Sequence, residues 1–297
     1  MERVSVIVAT YRRDAALVAA LRSLGEQTYE NLEILLVDDN ADPIWSEKVA
    51  AAVAAFREQY PRSELRLIVN DPNLGSAKTR NVGIFAAEGE YITFLDDDDV
   101  YLPEKVARQL AHMKEVASDF SITDLELFNE QDKLIDRRSR DYLVGVAPDA
   151  LLSLHLKHHM TGTDTMMFRR EYLLAIGGFE PIDVGDEFYL MQKAIEAGGR
   201  FSYLPACDIR AYVHTGDGGV SSGRGKIEGE KALYAYKKRS FPSLSRRDRR
   251  YIRMRHHAVL AFAYLRMRRY GRFFTSAMHS FFASPLGALR LFLSRRG

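Results

Sequence analysis

Through the first hundred residues, short apolar runs alternate with longer stretches in which apolar positions recur every three or four residues. Residues 4–9 (VSVIVA) and 33–37 (EILLV) lack the strict polar alternation of a half-exposed strand, so they predict strands covered on both faces. Between them, residues 14–27 place Leu17, Ala20, Leu21 and Leu24 at helical spacing. The pattern continues with a helix over 45–60, a strand over 65–69, a helix over 76–88 closed by Gly89, and a strand over 91–95 (YITFL). This βαβαβαβ order predicts an α/β fold, a Rossmann-like, mostly parallel sheet with helices on both faces. In such sheets ligands sit beyond the carboxyl ends of the strands. The polar residues just after strands one, two and four are therefore the first place to look for chemistry.

The middle of the chain is less regular. Residues 120–127 and 163–168 read as strands, 148–155 as a helix, and 186–197 as a helix ending at Gly198-Gly199. Residues 201–204 and 209–214 complete the strands. The run 215–225 (TGDGGVSSGRG) reads as a flexible loop, able to close as a lid over a bound substrate. A helix over 226–239 and a basic helical tail from Ser245 follow.

Composition is that of a globular protein: 46% apolar and 28% charged over 297 residues, which excludes disorder and collagen-like repeats. The single cysteine, Cys207, excludes an intramolecular disulfide and a multi-cysteine zinc cluster, and reads as a small buried residue. The first residues carry no signal-peptide pattern, and no run of about 20 uninterrupted apolar residues predicts a spanning helix. The expectation is a cytoplasmic protein. Charge changes the picture. The net of +2 conceals a split: residues 224–297 hold 19 Lys/Arg against 3 Asp/Glu, a net of +16, so residues 1–223 carry −14. An acidic domain over 1–223 thus precedes a basic helical extension over 224–297.

Four adjacent carboxylates, Asp96, Asp97, Asp98 and Asp99, directly follow the strand YITFL. Asp99 can cap a helix starting near Pro103, but capping needs only one of the four. A divalent cation neutralises such a cluster, and all-oxygen ligands favour Mg²⁺ or Mn²⁺, ions that usually bridge to substrate phosphates. Asp38-Asp39-Asn40 occupies the equivalent place after strand two, where a carboxylate can accept from a base N–H or a ribose hydroxyl. After strand one come Thr10, Tyr11, Arg12 and Arg13, offering a ring to stack and a guanidinium for a phosphate. In residues 73–83 (NLGSAKTRNVG), Lys78 and Arg80 lie in the first turns of a helix, against the dipole. That placement calls for a nearby anion, and we assign Arg80 to Asp39 or to a diphosphate.

The set VSVIVATYRR, EILLVDDN, NLGSAKTRNVG and YITFLDDDDVYLPEK, in that order and spacing, resembles the bacterial-type family-2 glycosyltransferases of glycosyltransferase-A fold, over roughly residues 2–215. The resemblance implies an inverting transferase using a nucleotide-diphospho-sugar donor, most often a uridine one. It implies that Asp39 binds the base with Tyr11 stacked on it, with Thr10, Arg13, Arg80 and Asp97 lining the donor nucleotide. Asp96 and Asp98 would form the family's D-x-D pair, Asp96 toward the ribose or metal shell and Asp98 on the metal. Residues 177–198 (GGFEPIDVGDEFYLMQKAIEAG) resemble the segment carrying the family's catalytic base. Many relatives have Glu-Asp there and this chain has Asp186-Glu187, so the base is Asp186 or Glu187; Asp186 is favoured because it follows Gly185 at the start of a helix. His214, after the strand IRAYV, matches a histidine that in many relatives ligates the metal or meets the diphosphate. Thr161 to Thr165 are assigned to the acceptor pocket, and His158-His159, which on a strand would face opposite sides, receive no role.

The tail interleaves arginine clusters with Val259, Leu260, Phe262, Ala263 and Leu265 and ends in aromatic and leucine-rich runs. An interfacial helix on anionic lipid suits this better than nucleic acid, because apolar content rises toward the end. The expected partners are a nucleotide-sugar donor, a glycan or lipid-linked acceptor and the inner face of the cell membrane. Two rival readings remain: a nucleotidyltransferase making nucleotide sugars, against which the glycine-free ATYRRDAAL speaks, and a non-catalytic membrane-surface scaffold, against which the intact acidic cluster speaks.

Overall fold

A computed structural model describes residues 1–182, 185–213 and 223–294. The chain divides into two compact units, one of residues 1–149 and 160–214, the other of residues 150–159 and 215–297.

The first unit opens with β1 (Val4–Thr10), α1 (Ala15–Gly25), β2 (Leu32–Asp38), α2 (Pro43–Gln59), β3 (Glu64–Val69), α3 (Ser76–Ala86) and β4 (Tyr91–Phe94). It continues through β5 (Val100–Tyr101), α4 (Lys105–Glu115), β6 (Phe120–Thr123), β7 (Leu125–Asn129) and β8 (Leu134–Arg138). After α5 (Pro148–His158), which runs into the second unit, come β9 (Met166–Arg169), α6 (Arg170–Ala175), α7 (Asp186–Glu196), β10 (Phe201–Leu204) and β11 (Ile209–Val213). Seven strands form the main sheet in the order β10-β6-β9-β4-β1-β2-β3, with β9 antiparallel to both neighbours and the other pairings parallel. A second sheet holds β5-β11-β7-β8.

The alternation along β1 explains the layering. Val4, Val6 and Val8 share a buried cluster with Leu17, Leu21 and Leu24 of α1, Val49, Val53 and Phe56 of α2, and Val106 and Leu110 of α4. Each such side chain contributes about 1.5–3 kcal/mol by leaving water. Ile7 points the other way, onto α3, where Gly83 lets the helix lie directly on the strand; a Cβ there would fall 2.5 Å from the Ile7 Cγ2. The central sheet is thus flanked by helices on both faces, as the alternating pattern predicts.

Four local expectations change. Residues 120–127 are two strands in different sheets, because the buried Asp124 between them accepts from the Tyr203 hydroxyl at 2.8 Å and the Arg140 N–H at 3.0 Å and turns the chain. Residues 163–165 form a 3₁₀ turn before β9. His158 ends α5, and His159 follows it at φ 51°, so the pair lies on no strand. Strands β5 and β8 are too short or too charged to show an apolar pattern.

The second unit is helical: the end of α5, then α8 (Gly223–Lys237), a 3₁₀ turn over Lys238–Ser243, α9 (Arg246–Arg266), α10 (Tyr270–Ala283) and α11 (Pro285–Ser294). Ser245 caps α9, accepting from the Asp248 N–H at 3.1 Å. The Ser280 hydroxyl donates to the Met254 carbonyl at 2.9 Å, tying the end of α10 to the first half of α9 in an antiparallel hairpin. Leu260, Ala263 and Tyr264 of α9 pack with Ile227 of α8. The apolar positions of α9 therefore largely serve this packing, and the exposed apolar face lies further on. In α10 the buried residues are Ser276 and Ser280, while Phe274, Met278, Phe281 and Phe282 are exposed, as are Leu286 and Leu289 of α11. No helix among the described residues is long and apolar enough to cross a membrane.

Candidate active site

The parallel pairing of β1 with β2 and β4 brings three strand ends together. Asp39, just past β2, is 3% exposed. Its carboxylate accepts from the N–H groups of Leu74 and Gly75 at 2.8 and 2.9 Å and from the Asn70 amide at 2.9 Å. Its own N–H donates to the Thr10 carbonyl at 3.0 Å. The NLG segment thus serves to hold Asp39. Asp38 turns the other way and accepts from the Ser46 hydroxyl at 2.7 Å.

The four adjacent aspartates diverge. Asp97 accepts from the Tyr11 N–H and the Arg13 Nε, each at 3.1 Å, and Asp98 takes the other end of the same guanidinium at 2.5 Å. Burial and the Asp98 charge push the Asp97 carboxyl up to about 6. Asp96 receives an Arg80 Nη at 2.6 Å. Asp99 accepts from the Tyr212 N–H at 2.8 Å; it caps no helix, since α4 begins at Lys105 with Glu104 before it.

Asp164 completes the cluster. Strands β4 and β9 pair antiparallel with Tyr91 opposite Arg169 and Thr93 opposite Met167. Continuing that register past the strand sets Asp96 opposite Asp164, and the Asp96 N–H donates to the Asp164 carboxylate at 2.7 Å. Carboxylate oxygens of Asp96, Asp99 and Asp164 all lie within 4.8 Å of one another. Burial and the Asp96 charge push Asp164 up to about 7, while burial and Asp164 push Asp99 well up. Carboxylates this close and this buried do not all ionise without a proton or a cation among them. The all-oxygen donor set fits Mg²⁺ or Mn²⁺. Behind the trio, the buried Lys105 Nζ donates to Thr93 at 2.6 Å and to the Tyr101 hydroxyl at 2.7 Å, and that hydroxyl donates to the Asp164 carbonyl at 3.0 Å.

Asp186 opens α7 and is buried. Arg80 spans from Asp96 to Asp186, its second Nη 2.5 Å from the Asp186 Oδ2. The Glu187 N–H donates to the other Asp186 oxygen at 2.9 Å. Burial raises Asp186 to about 7 against the pull of Arg80, with Glu187 adding to the rise, and burial also raises Glu187. A buried carboxyl poised near neutrality suits general base work.

Residues 5–177, more than half of the chain, match the sequence profile of Glycosyl transferase family 2. The chain belongs to that family. An uncharacterised glycosyltransferase of Rickettsia conorii is 36% identical over 134 residues, 45% of this chain and 21% of the relative. The succinoglycan biosynthesis protein ExoO of Rhizobium meliloti is 26% identical over 221 residues, 72% of this chain and 61% of the relative. The chain thus spans between about a fifth and three-fifths of the length of these relatives. Among solved structures, S. aureus TarS 1-349 in complex with UDP-GlcNAc aligns at TM-score 0.61 and 20% identity, covering 94% of this chain and 91% of that 1-349 chain. Mannosyltransferase PcManGT from Pyrobaculum calidifontis, in complex with GDP-Man and Mn²⁺, aligns at TM-score 0.57 and 19% identity, covering 99% and 79%. These likenesses show the glycosyltransferase-A-like fold of this family-2 chain, with a helical extension at its C-terminal end.

Most residues singled out in the sequence meet here: Thr10, Tyr11, Arg13, Asp39, Arg80, Asp96, Asp97, Asp98, Asp186 and Glu187 are carried by the ends or starts of β1, β2, α3, β4 and α7. His214 lies outside the described residues, as does most of the glycine-rich loop. One pairing differs from expectation. Arg80 bridges Asp96 and Asp186 and leaves Asp39 to the backbone N–H groups of its neighbouring loop, because α3 points Arg80 across the strand ends. Asp98 stands outside the trio of Asp96, Asp99 and Asp164, on Arg13. In the sequence Asp164 figures only as part of the Thr161 to Thr165 acceptor stretch and Lys105 has no role; the β4–β9 register is what brings Asp164 to Asp96. Cys207 is half-buried, its thiol pushed up to about 11 by burial, and takes no part.

Proposed function

We propose that this family-2 chain is an inverting glycosyltransferase that moves a sugar from a nucleotide-diphospho-sugar, a uridine one by preference, to a hydroxyl acceptor. The observation carrying the proposal is the Arg80 bridge, which holds a member of the D-x-D pair, Asp96, and the base candidate, Asp186, at the two ends of one guanidinium. Asp39 is fixed to accept from the base of the donor, with the exposed Tyr11 ring available to stack on it. Asp96 and Asp98, with Asp99 and Asp164 behind them, would hold a Mn²⁺ or Mg²⁺ ion, and His214 completes that assignment from the resemblance alone. Such an ion supplies positive charge to the departing diphosphate. Arg13 and Arg80, released from their carboxylates, offer further cations to the same phosphates. Asp186, with Glu187 as the alternative, takes the proton of the acceptor hydroxyl as its oxygen attacks the anomeric carbon in line with the leaving diphosphate. Single displacement of this kind inverts the anomeric centre.

Turnover of a panel of nucleotide sugars with Mn²⁺, scored as released nucleoside diphosphate, tests the reading; no binding and no turnover with any donor would sink it. The relatives' names point to polysaccharide synthesis, so a glycan or lipid-linked acceptor is the first class to try, and nucleic acid is not expected as a partner. We also assign the second unit to the inner face of the cell membrane. Its support is the inverted α10, with serines inside and Phe274, Phe281 and Phe282 outside, on a segment whose arginines suit anionic lipid.

A further inference from the structure

Two neighbours on α3 reach toward the segment that leads into α7. Arg80 meets Asp96 and Asp186. Asn81 turns its side-chain amide to Phe179, 98 residues away in the chain. The Asn81 Nδ2 donates to the Phe179 carbonyl and the Asn81 Oδ1 accepts from the Phe179 N–H, each at 2.8 Å. One amide thus satisfies both backbone groups of one residue, as a neighbouring strand would. Asparagine is a poorer helix former than alanine or leucine, so α3 carries it at a cost. The approach depends on Gly177 and Gly178, both left-handed, at φ 78° and 61°. At Gly178 a Cβ would also fall 2.4 Å from the Asn81 Oδ1.

The Phe179 ring is 2% exposed. It meets the ring of Phe94, the last residue of β4, edge-on with centroids 5.1 Å apart. The Arg80 guanidinium lies 5.6 Å from the Phe179 centroid, within reach of a cation–π contact. Glu180, the next residue, pairs with Lys193 of α7 at 2.9 Å. Phe179 therefore touches the end of β4 two residues before Asp96, the guanidinium that joins Asp96 to Asp186, and a segment tied to the helix that Asp186 opens. Filling the space would need only the ring; the paired amide also fixes the height and rotation of the backbone that carries it. We propose that Asn81 is a positioning residue for sugar transfer: by holding the Phe179 backbone it sets the ring against Arg80, and so the placement of Arg80 and Asp186 relative to Asp96. This rests on the transferase reading above, in which Asp186 takes the acceptor proton. A displacement of about 1 Å at such a base can lower the rate about 10²-fold.

Variants of the full-length chain separate positioning from mere support of the fold. Asn81→Ala should lower kcat by about 30–100-fold, while UDP affinity in Mn²⁺ stays within about threefold, because the N–H groups of Leu74 and Gly75, ahead of α3, hold Asp39. Tyr172→Phe is the structural control. The Tyr172 hydroxyl likewise joins two backbone groups, donating to the Ala194 carbonyl at 2.5 Å and accepting from the Gly199 N–H at 3.0 Å, toward the other end of α7. Its loss should lower the melting temperature as Asn81→Ala does and leave kcat within about twofold. Phe179→Leu, which keeps an apolar side chain and removes the ring, should reproduce the kcat loss of Asn81→Ala, and the two together should lose little more than either alone. A kcat for Asn81→Ala within twofold of that for Tyr172→Phe, or losses that multiply in the double variant, overturns the proposal. Absence of wild-type turnover with every donor defeats the transferase reading instead, and hydrogen exchange then judges the clamp by itself. Exchange over residues 178–192 should quicken at least fivefold in Asn81→Ala, with residues 32–38 unchanged; equal exchange over 178–192 shows that Asn81 holds nothing there.

Discussion

The strand ends of the first unit and the outer face of α10 depart from the usual rule in opposite directions. At the strand ends, charged groups are inside: Asp97, Asp99, Asp164 and Asp186 are buried, and Arg80 is nearly so. On α10, apolar groups are outside: Phe274 and Phe282 are 63% and 68% exposed while Ser276 and Ser280 are covered. Buried charge and exposed aromatic surface both cost free energy unless something completes them. In the first unit part of the completion is internal, since Arg13 and Arg80 take up four carboxylates between them. Beyond those pairs stand Asp99 and Asp164, whose carboxyls burial raises and which lie within 4.8 Å of Asp96 in an arrangement that could hold a cation. In the second unit the described residues cover none of the outward aromatic rings fully. The function proposed above gives the two regions different partners, a metal-nucleotide complex for the first and an anionic membrane surface for the second.

Substitutions can break the comparison region by region. The largest effect is expected at Asp186: Asp186→Asn should lower kcat by about 10³–10⁴ with donor affinity within about twofold, as loss of a general base does. If Asp186→Asn retains transfer and Glu187→Gln loses it, the roles of the two are exchanged. Asp96→Ala should lower kcat/KM by about 10²–10³, and raising Mn²⁺ should not restore it. A smaller and graded effect is expected from pH. Asp186, raised to about 7, must be deprotonated to accept a proton. Activity then rises with pH through about 7 and levels above it, falling about tenfold per unit below. A flat profile between pH 5.5 and 8 would remove Asp186 from the reaction. The smallest effects belong to the tail. Each of Arg268→Gln, Arg269→Gln and Arg272→Gln should weaken flotation with anionic vesicles by about fivefold, roughly 1 kcal/mol, and leave turnover of a soluble acceptor unchanged. Phe281→Ser with Phe282→Ser should act in the same assay; vesicle binding that ignores both sets would detach the tail from the membrane.

The sheet was legible because strands covered on both faces leave unbroken apolar runs, as in VSVIVA and EILLV, and because helices facing them keep a period near 3.6. Short or edge strands leave no such trace: β8 (LIDRR) is exposed along its length and β5 is two residues long. In the site, the residues after β1, β2 and β4 could be found by their place in the chain, since topology alone puts them at one end of the sheet. Partnerships were less legible. Asp164 stands alone in a threonine-rich stretch, and nothing near it in sequence announces that β9 runs antiparallel and delivers it opposite Asp96. Arg80 was read as a cation needing an anion, Asp39 or a diphosphate, and the carboxylates it meets, Asp96 and Asp186, depend on the direction of α3. The tail misled in a similar way: apolar positions of α9 read as a membrane face are largely internal, and the outward face belongs to α10 and α11.

The acidic strand ends are proposed above as a metal-dependent nucleotide site. Calorimetric titration of nucleoside diphosphates into the full-length protein, in Mn²⁺ and in EDTA, addresses that claim most directly. We expect UDP to bind at least tenfold more tightly with Mn²⁺ than with EDTA in the wild type, and the difference to vanish in Asp96→Asn. Equal affinity in Mn²⁺ and EDTA, or no binding of any nucleoside diphosphate in either, would contradict the account.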